Sequence, residues 1–151
     1  MIPDGHQTAR ERSLLEYSLE PSLSTFDLPA LLVQLKHEDP WLAGKRNAMT
    51  LLKDQGLRVV LIVIRANITI PSHQGDSPLS MQVVEGRVQV RTNAEPVTLT
   101  KGQILALKAG IRHEFEALEE SAFLLTLATG QSHPAESAGD ANEALLGFAS
   151  L

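Results

Sequence analysis

The sequence has 151 residues, of which 43% are hydrophobic and 21% are charged; this composition is typical of one globular domain and excludes a chain that is disordered throughout. The 13 Lys and Arg against 18 Asp and Glu give a formal net charge of -5, which argues against nucleic acid or an anionic membrane surface as the partner. The absence of cysteine excludes disulfide scaffolds, thiolate metal sites and cysteine nucleophiles.

The chain is predicted to be a cytoplasmic protein without a membrane span. Its N-terminal stretch has no apolar run followed by a small-residue cleavage site, so it does not read as a secretory signal. The longest apolar run, 59–64, is shorter than the roughly 20 residues that a membrane-spanning helix needs.

Both ends of the chain are predicted to lie outside the folded domain. Residues 1–25 are polar and mixed, and prolines and serines interrupt any hydrophobic period, so this segment is predicted to be a flexible arm. After residue 128 the composition shifts to Gly, Ser, Pro and acidic residues, so 129–151 is predicted to be a flexible tail, of which 141–151 could form a short helix. The domain between them spans 26–128.

A short amphipathic helix is predicted over 28–37, ahead of the first strand. Asp27 is a suitable N-cap and Pro29 is favourable in the first turn. Leucines recur at helical spacing from residue 31 to residue 35. Pro40 is expected to end the helix, and Trp41 is expected to anchor it on the core.

From about 45 to 128 the hydrophobic period is two, the period of a β-strand. Turn residues divide this region into eight or so short strands, predicted over 48–53, 57–68, 79–84, 87–92, 97–100, 104–107, 114–118 and 122–128. Many short strands separated by turns indicate an all-β sandwich or barrel. Gly86, Gly102 and Gly110 are expected to occupy turns with positive φ.

The strand that begins at Leu57 is apolar on both alternating sets of side chains, so both of its faces must be covered. We expect a second copy of the chain to cover one sheet, which predicts a homodimer. The strand arginines are expected to be solvated or to face that second subunit rather than to form an anion site: Arg58, Arg65, Arg87 and Arg91.

Two segments carry the clearest functional pattern. The first, IPSHQGDSPLSMQVVEG, spans 70–86 and contains His73; the second, GQILALKAGIRH, spans 102–113 and ends in His113. Their histidines, turn glycines and spacing resemble the two conserved boxes of the cupin superfamily. The resemblance covers about 45–128 and implies a double-stranded β-helix, that is, a jelly-roll barrel, preceded here by the short helix.

In the cupin family three His and one Glu converge near one mouth of the barrel and hold a divalent metal. Here His73 and His113 occupy the first and last of those positions, whereas Gly75 and Leu79 stand at the other two. The resemblance therefore implies that the two histidines are candidate ligands for Fe, Ni, Mn or Zn, without making any cofactor certain. Substitutes for the third ligand would come from nearby polar residues: Gln74, Asp76 and Gln82.

The surroundings of the two histidines are predicted to be apolar. Alternation along the strand that begins at Leu79 puts Met81 and Val83 on the same face as that leucine. With Phe115, next but one after the second histidine, these residues form the predicted lining of a ligand pocket.

The chain is also similar to a narrower group of small bacterial single-domain cupins of unassigned function. The similarity rests on Trp41, the strand RNAMTLLK at 46–53, the approach Pro71-Ser-His73 and the segment 116–126. That group keeps a single His in the first box, so the loss of the second His is a feature of the group and implies no reaction.

Three functions are compatible with these residues. The first is binding of a small, largely apolar molecule in the barrel near His73 and His113. The second is a metal-dependent dioxygenase or isomerase that uses the same two histidines and a third ligand that the sequence does not identify, so enzymatic activity stays open. The third is a barrel with a purely structural role.

Overall fold

The computed structural model describes residues 21–129, without the side chains of 72–74. In this part of the chain, two helices precede nine strands: α1 (Leu28–Leu35), α2 (Asp39–Leu42), β1 (Arg46–Asp54), β2 (Leu57–Ile64), β3 (Thr69–Gln74), β4 (Leu79–Glu85), β5 (Arg87–Arg91), β6 (Val97–Thr100), β7 (Ile104–Leu107), β8 (Arg112–Ala117) and β9 (Ser121–Ala128). Most of the predicted arm (1–20) and tail (130–151) lie outside the described residues. Neither helix is long and apolar enough to cross a membrane.

The strands form two antiparallel sheets, one of five strands in the order β1-β2-β9-β4-β7 and one of four in the order β3-β8-β5-β6. The main core lies between them, because its fully buried members come from both sheets, among them Ile62 and Val83 from the first and Val88 and Phe115 from the second. The all-β jelly-roll prediction is thus confirmed.

One predicted strand, 57–68, is wrong in length because the chain changes sheets within it. β2 ends at Ile64, and β3 begins at Thr69 in the opposite sheet. Asn67 makes the crossing with a φ of 66°, and its backbone N–H donates to the carbonyl of Ala117 at 2.7 Å. Ile68 also packs on the core, so the apolar pattern continues through the crossing and gives no signal of it.

The predicted helix over 28–37 is shorter in the structure, and a second helix follows it. Asp27 caps α1 as expected, since its carboxylate accepts from the Ala30 N–H at 3.3 Å. The helix ends at Leu35, and Pro40 stands in the first turn of α2 rather than terminating α1. Proline is well suited to a first turn because the N–H that it lacks would have no partner inside the helix.

The two helices cover the outer face of β2. Leu61 and Val63 of that face are fully buried in a second cluster formed with Leu32, Leu35 and Trp41. The other set, which includes Val60, points into the main core. The two-faced strand therefore needs no second subunit to cover it at this position. The homodimer stays a prediction.

Polar contacts hold the helices on the sheet. The Arg65 guanidinium lies 4.1 Å from the centre of the Trp41 ring and donates to the Trp41 carbonyl at 2.9 Å. Asn47 is buried and donates to the Leu35 carbonyl at 3.0 Å. Each contact joins a helix to β1 or to the end of β2. Side chains of the sheet therefore fix how the helices lie on it.

Lys36, at the end of α1, joins the helix to turns at one end of the barrel. Its ammonium lies 3.2 Å from a carboxylate oxygen of Glu85 and 3.2 Å from one of Glu120. Partial burial works to lower the pKa of Lys36, but hydrogen bonds to Glu120 and Glu85 outweigh it, so the pKa is raised. The stabilisation that this raised pKa represents is therefore present at neutral pH, and it is lost as the pH rises far enough to deprotonate the lysine.

The helix cover predicts a clear stability contrast within α1. Leu35 is fully buried, so Leu35→Ala should lower the free energy of unfolding by about 2–5 kcal/mol through lost contacts and the cavity left behind. Val33 on the same helix is 59% exposed, so Val33→Ala should change it by no more than about 0.5 kcal/mol. Urea unfolding of both variants measures the difference; equal losses would contradict the packing described.

The homodimer prediction concerns the part of the outer face that the helices leave open. Ile104 on the edge strand β7 is 63% exposed, and Leu57 at the start of β2 is 38% exposed. A second copy that covers this face would bury both side chains. Light scattering at micromolar concentration should give twice the monomer mass, and Ile104→Lys should return it to the monomer value; a monomeric wild type would refute the prediction.

Candidate functional site

Both predicted histidines lie at the same end of the barrel, on neighbouring strands. His73 on β3 and His113 on β8 are direct partners in the ladder between these strands. The register shifts between Ile70 and His73, a suitable place for Pro71, which lacks the N–H that a regular ladder uses. The structure describes the backbone of His73 but not its side chain. We call this end of the barrel, with His73, His113 and Leu79, the histidine end.

A short loop closes the histidine end between the two sheets. Residues 75–78 lead from β3 directly to Leu79, the first residue of β4. The Gly110 N–H donates to the Gly75 carbonyl at 2.8 Å and joins this loop to the one that precedes β8. Gly110 has a φ of 81°, as predicted, which a side chain would disfavour. The hydrogen bond thus joins the two loops that pass from one sheet to the other at this end.

The imidazole of His113 is buried, with 3% of the residue exposed, and its tautomer follows from its hydrogen bond. Nδ1 lies 2.8 Å from the carbonyl oxygen of Ile111, which can only accept. Nδ1 must therefore carry the proton, and in the neutral ring Nε2 bears the lone pair. The ring packs against Phe115, with 5.2 Å between ring centres. His113 is thus an oriented hydrogen-bond acceptor in apolar surroundings.

The four apolar residues predicted to line a ligand pocket are not buried to the same extent. Met81 and Val83 are fully buried and Phe115 is 1% exposed; Phe115 packs edge-on against Phe123, with 5.8 Å between ring centres. A molecule that reached these three side chains would have to displace other core groups. Leu79, 6% exposed, stands at the histidine end.

Leu79 also borders the surface. A shallow depression of about 410 Å³ lies on the outer face of the five-stranded sheet, lined by Leu57, Pro78, Leu79, Ala106, Leu107, Lys108, Thr126 and Ala128. Its lining is mostly apolar, with one cationic residue. Leu79 thus lies both in the main core and at the surface. Because Leu57, Ala106, Thr126 and Ala128 alternate with core residues along their strands, the depression opens on the outside of the sheet and does not include His113.

Of the positions that the cupin resemblance assigns to metal ligands, the described side chains supply one imidazole, that of His113. Residues 21–129, side chains of 72–74 apart, contain no group of three His, Cys, Asp or Glu side chains that could hold a metal ion. Leu79 fills the position of the family's Glu with a core side chain. Gln82 is exposed and on the opposite face of β4 from Met81, and Asp76 is exposed in the loop. The side chain of Gln74 lies outside the described residues.

Arg58, at the histidine end, lies in a different position from the one expected from the sequence. Arg58, expected to be a solvated or dimer-face charge, has the same parity on β2 as Val60 and Ile62, whose side chains lie in the main core. It is the direct partner of Leu127 on β9, which in turn pairs with Leu79. The strand period of two already indicates this position, because it puts residue 58 in the inward-facing set with Val60 and Ile62. It is half-buried at the mouth.

Comparison with solved structures supports the fold. A conserved Streptococcus pyogenes protein of unknown function matches with a TM-score of 0.58 at 18% identity, covering 74% of this chain and 92% of that one. A cupin-2 domain protein from Shewanella frigidimarina matches with a TM-score of 0.57 at 14% identity, covering 70% and 95%. The chain therefore has the cupin jelly-roll fold.

A third similar structure is an enzyme. A variant of salicylate 1,2-dioxygenase from Pseudoaminobacter salicylatoxidans matches with a TM-score of 0.54 at 18% identity, but this chain covers only 31% of its length. No protein-family model and no curated protein matches the sequence. At these identities the likeness concerns the fold and carries no activity with it.

The tautomer of His113 is testable directly. Long-range ¹H–¹⁵N correlation spectra of the imidazoles at a pH where the ring is neutral should show a protonated Nδ1 and an unprotonated Nε2 for this residue, because the Ile111 carbonyl must receive a proton. His113→Leu identifies the signal by its loss. A protonated Nε2 in the wild type would contradict the assigned hydrogen bond.

Proposed function

We propose that the protein binds a small, largely apolar molecule at the histidine end of the barrel, oriented by His73 and His113. The observation that carries the proposal is the state of His113, whose buried ring holds its Nδ1 proton on a backbone carbonyl and so presents Nε2 as an acceptor beside Phe115. One oriented polar group in an apolar setting is typical of a small-molecule site.

The packing of the barrel favours binding at the mouth over binding in the deep interior. Met81, Val83 and Phe115 already fill the centre of the core. Leu79, by contrast, lies at the rim of the core, at the same end of the barrel as the histidines, and is 6% exposed. In this proposal, the molecule therefore contacts Leu79 and the histidines, while the three deeper residues form the floor that supports His113.

The alternative, a metal-dependent dioxygenase or isomerase, needs a third ligand besides the two histidines. Two of the three substitutes that the sequence offered are poorly suited, since Gln82 faces away from the core and Asp76 is exposed. Binding is therefore the better supported proposal.

The binding proposal is tested with neutral probes, hexan-1-ol and benzyl alcohol, followed by ¹H–¹⁵N spectra during titration. Shifts should change at 73–79 and 107–113 and little elsewhere, because those segments form the histidine end. Replacing both histidines, with His73→Ala and His113→Leu, should weaken binding by about tenfold or more, since the leucine keeps the ring's apolar volume but removes its acceptor.

The matched control is His37→Ala, which removes an exposed histidine on the helix side and should leave the affinity unchanged. Shift changes confined to the helices, or absent altogether, would refute the proposal. Elemental analysis of the wild type and the double variant addresses the alternative: near-stoichiometric iron, nickel, manganese or zinc that is lost in the variant would favour the metalloenzyme.

A further inference from the structure

A groove of about 670 Å³ lies between the segment 21–26, which precedes α1, and the end of the hairpin formed by β1 and β2. The hairpin contributes Leu51, Leu52, Asp54 and Val59. These residues lie on the side of the sheet that faces away from the main core, because Val59 pairs with Leu52 and is followed on β2 by an inward-facing core residue. We call this feature the outer groove. It shares no residue with the histidine end.

A β-bulge widens the apolar wall that the hairpin gives to the outer groove. The ladder between β1 and β2 shifts register between Thr50 and Leu52, so Leu51 is the extra residue of the longer strand. Successive residues of a regular strand point to opposite faces, but here both Leu51 and Leu52 line the groove. Phe26, on the opposite wall, is 46% exposed. The groove therefore offers apolar side chains that a molecule in solution can reach without entering the core.

The charge of the outer groove is a single carboxylate. Asp54 is exposed, and its Oδ1 accepts from the N–H of Gln55 at 2.7 Å. The two cations nearest to it in the hairpin, Lys53 and Arg58, form a ladder pair that projects from the opposite face of the sheet. In the part of the chain that the structure describes, no ion pair includes Asp54. A cation that enters the groove therefore meets a negative charge and no positive one among the lining residues.

We infer that the outer groove binds a small primary amine with an apolar body, whose ammonium group lies on Asp54. One carboxylate beside apolar walls matches a molecule that is cationic at one end and apolar at the other. The ammonium has three N–H donors for the carboxylate oxygens, and a cation is also attracted to the face of an aromatic ring such as that of Phe26. The net charge of -5 favours cations at long range. This site is separate from that of the proposed function and does not depend on it.

The test compares hexylammonium with hexan-1-ol, which has the same chain without the charge, and with methylammonium, which has the charge without the chain. ¹H–¹⁵N spectra of the full-length protein during each titration give both the place of binding and the Kd. Hexylammonium should shift amide signals at 22–26 and 51–59. It should bind there about threefold to fivefold more tightly than hexan-1-ol, as expected for one exposed ion pair. Methylammonium should bind at least about tenfold more weakly than hexylammonium, because it lacks the apolar contacts.

Asp54→Asn keeps the shape of the side chain and its acceptor for the Gln55 N–H but removes the charge. It should bring the affinity for hexylammonium to within about twofold of that for hexan-1-ol and leave the latter unchanged. The matched control is Glu95→Gln, which removes one negative charge from an exposed position between β5 and β6 and should keep the preference intact. Added sodium chloride should weaken binding of hexylammonium only.

A second variant tests the apolar wall. Phe26→Ala should weaken the binding of both hexyl compounds by about threefold or more, because it removes apolar contact area from the groove. The side chain is 46% exposed, so its loss should leave the amide signals of the main core unchanged. Unchanged affinity of this variant for both compounds would place the binding elsewhere and overturn the inference.

The remaining outcomes are equally decisive. Equal binding of the two hexyl compounds by the wild type would overturn the role of Asp54, and methylammonium that binds as tightly as hexylammonium would show a surface carboxylate without an apolar site. Hexylammonium shifts confined to 73–79 and 107–113 would place the amine at the histidine end and refute the outer groove. Signals of those two segments that do not respond to hexan-1-ol would count against the proposed function alone.

Discussion

The structure depends on a single strand that has no polar side. β2 places Val60, Ile62 and Ile64 between the two sheets and Leu61 and Val63 on the outside of the five-stranded sheet. Burial of an aliphatic side chain is worth about 1.5–3 kcal/mol each, so leaving the outer set in water would cost much of the stability of a small domain. The outer face must be covered, and α1 and α2 cover it.

This covering makes the two ends of the barrel different. The helices are attached near the end where β2 finishes, through Arg65 on Trp41 and through Lys36 between Glu85 and Glu120. The opposite end carries the two histidines and Leu79. The helices therefore brace one end of the barrel, and the candidate site lies at the other, as is common where a rigid scaffold presents a binding site.

Much of the candidate site could be predicted from local pattern. Alternation along β4 put Leu79, Met81 and Val83 on one face, and the structure confirms that all three belong to the core. That His73 and His113 belong together was implied by the resemblance of their segments to the two cupin boxes, and the two residues are ladder partners. Alternation does not show how deeply each residue is buried. In the structure Leu79 lies at the rim of the core, whereas Met81 and Val83 lie in its filled interior.

The sequence by itself determined the strand periodicity, the turns with positive φ at Gly86, Gly102 and Gly110, and the apolar character of both faces of β2. Each of these is a local property, read from neighbouring residues through backbone sterics and a period of two. Only the tertiary structure decided which element covers β2, where the chain crosses between sheets after Ile64, and that Arg58 meets Leu127 and Lys53 at the histidine end. Those outcomes join residues far apart in the chain, and long-range packing rather than local preference selects among the partners that a periodic pattern allows.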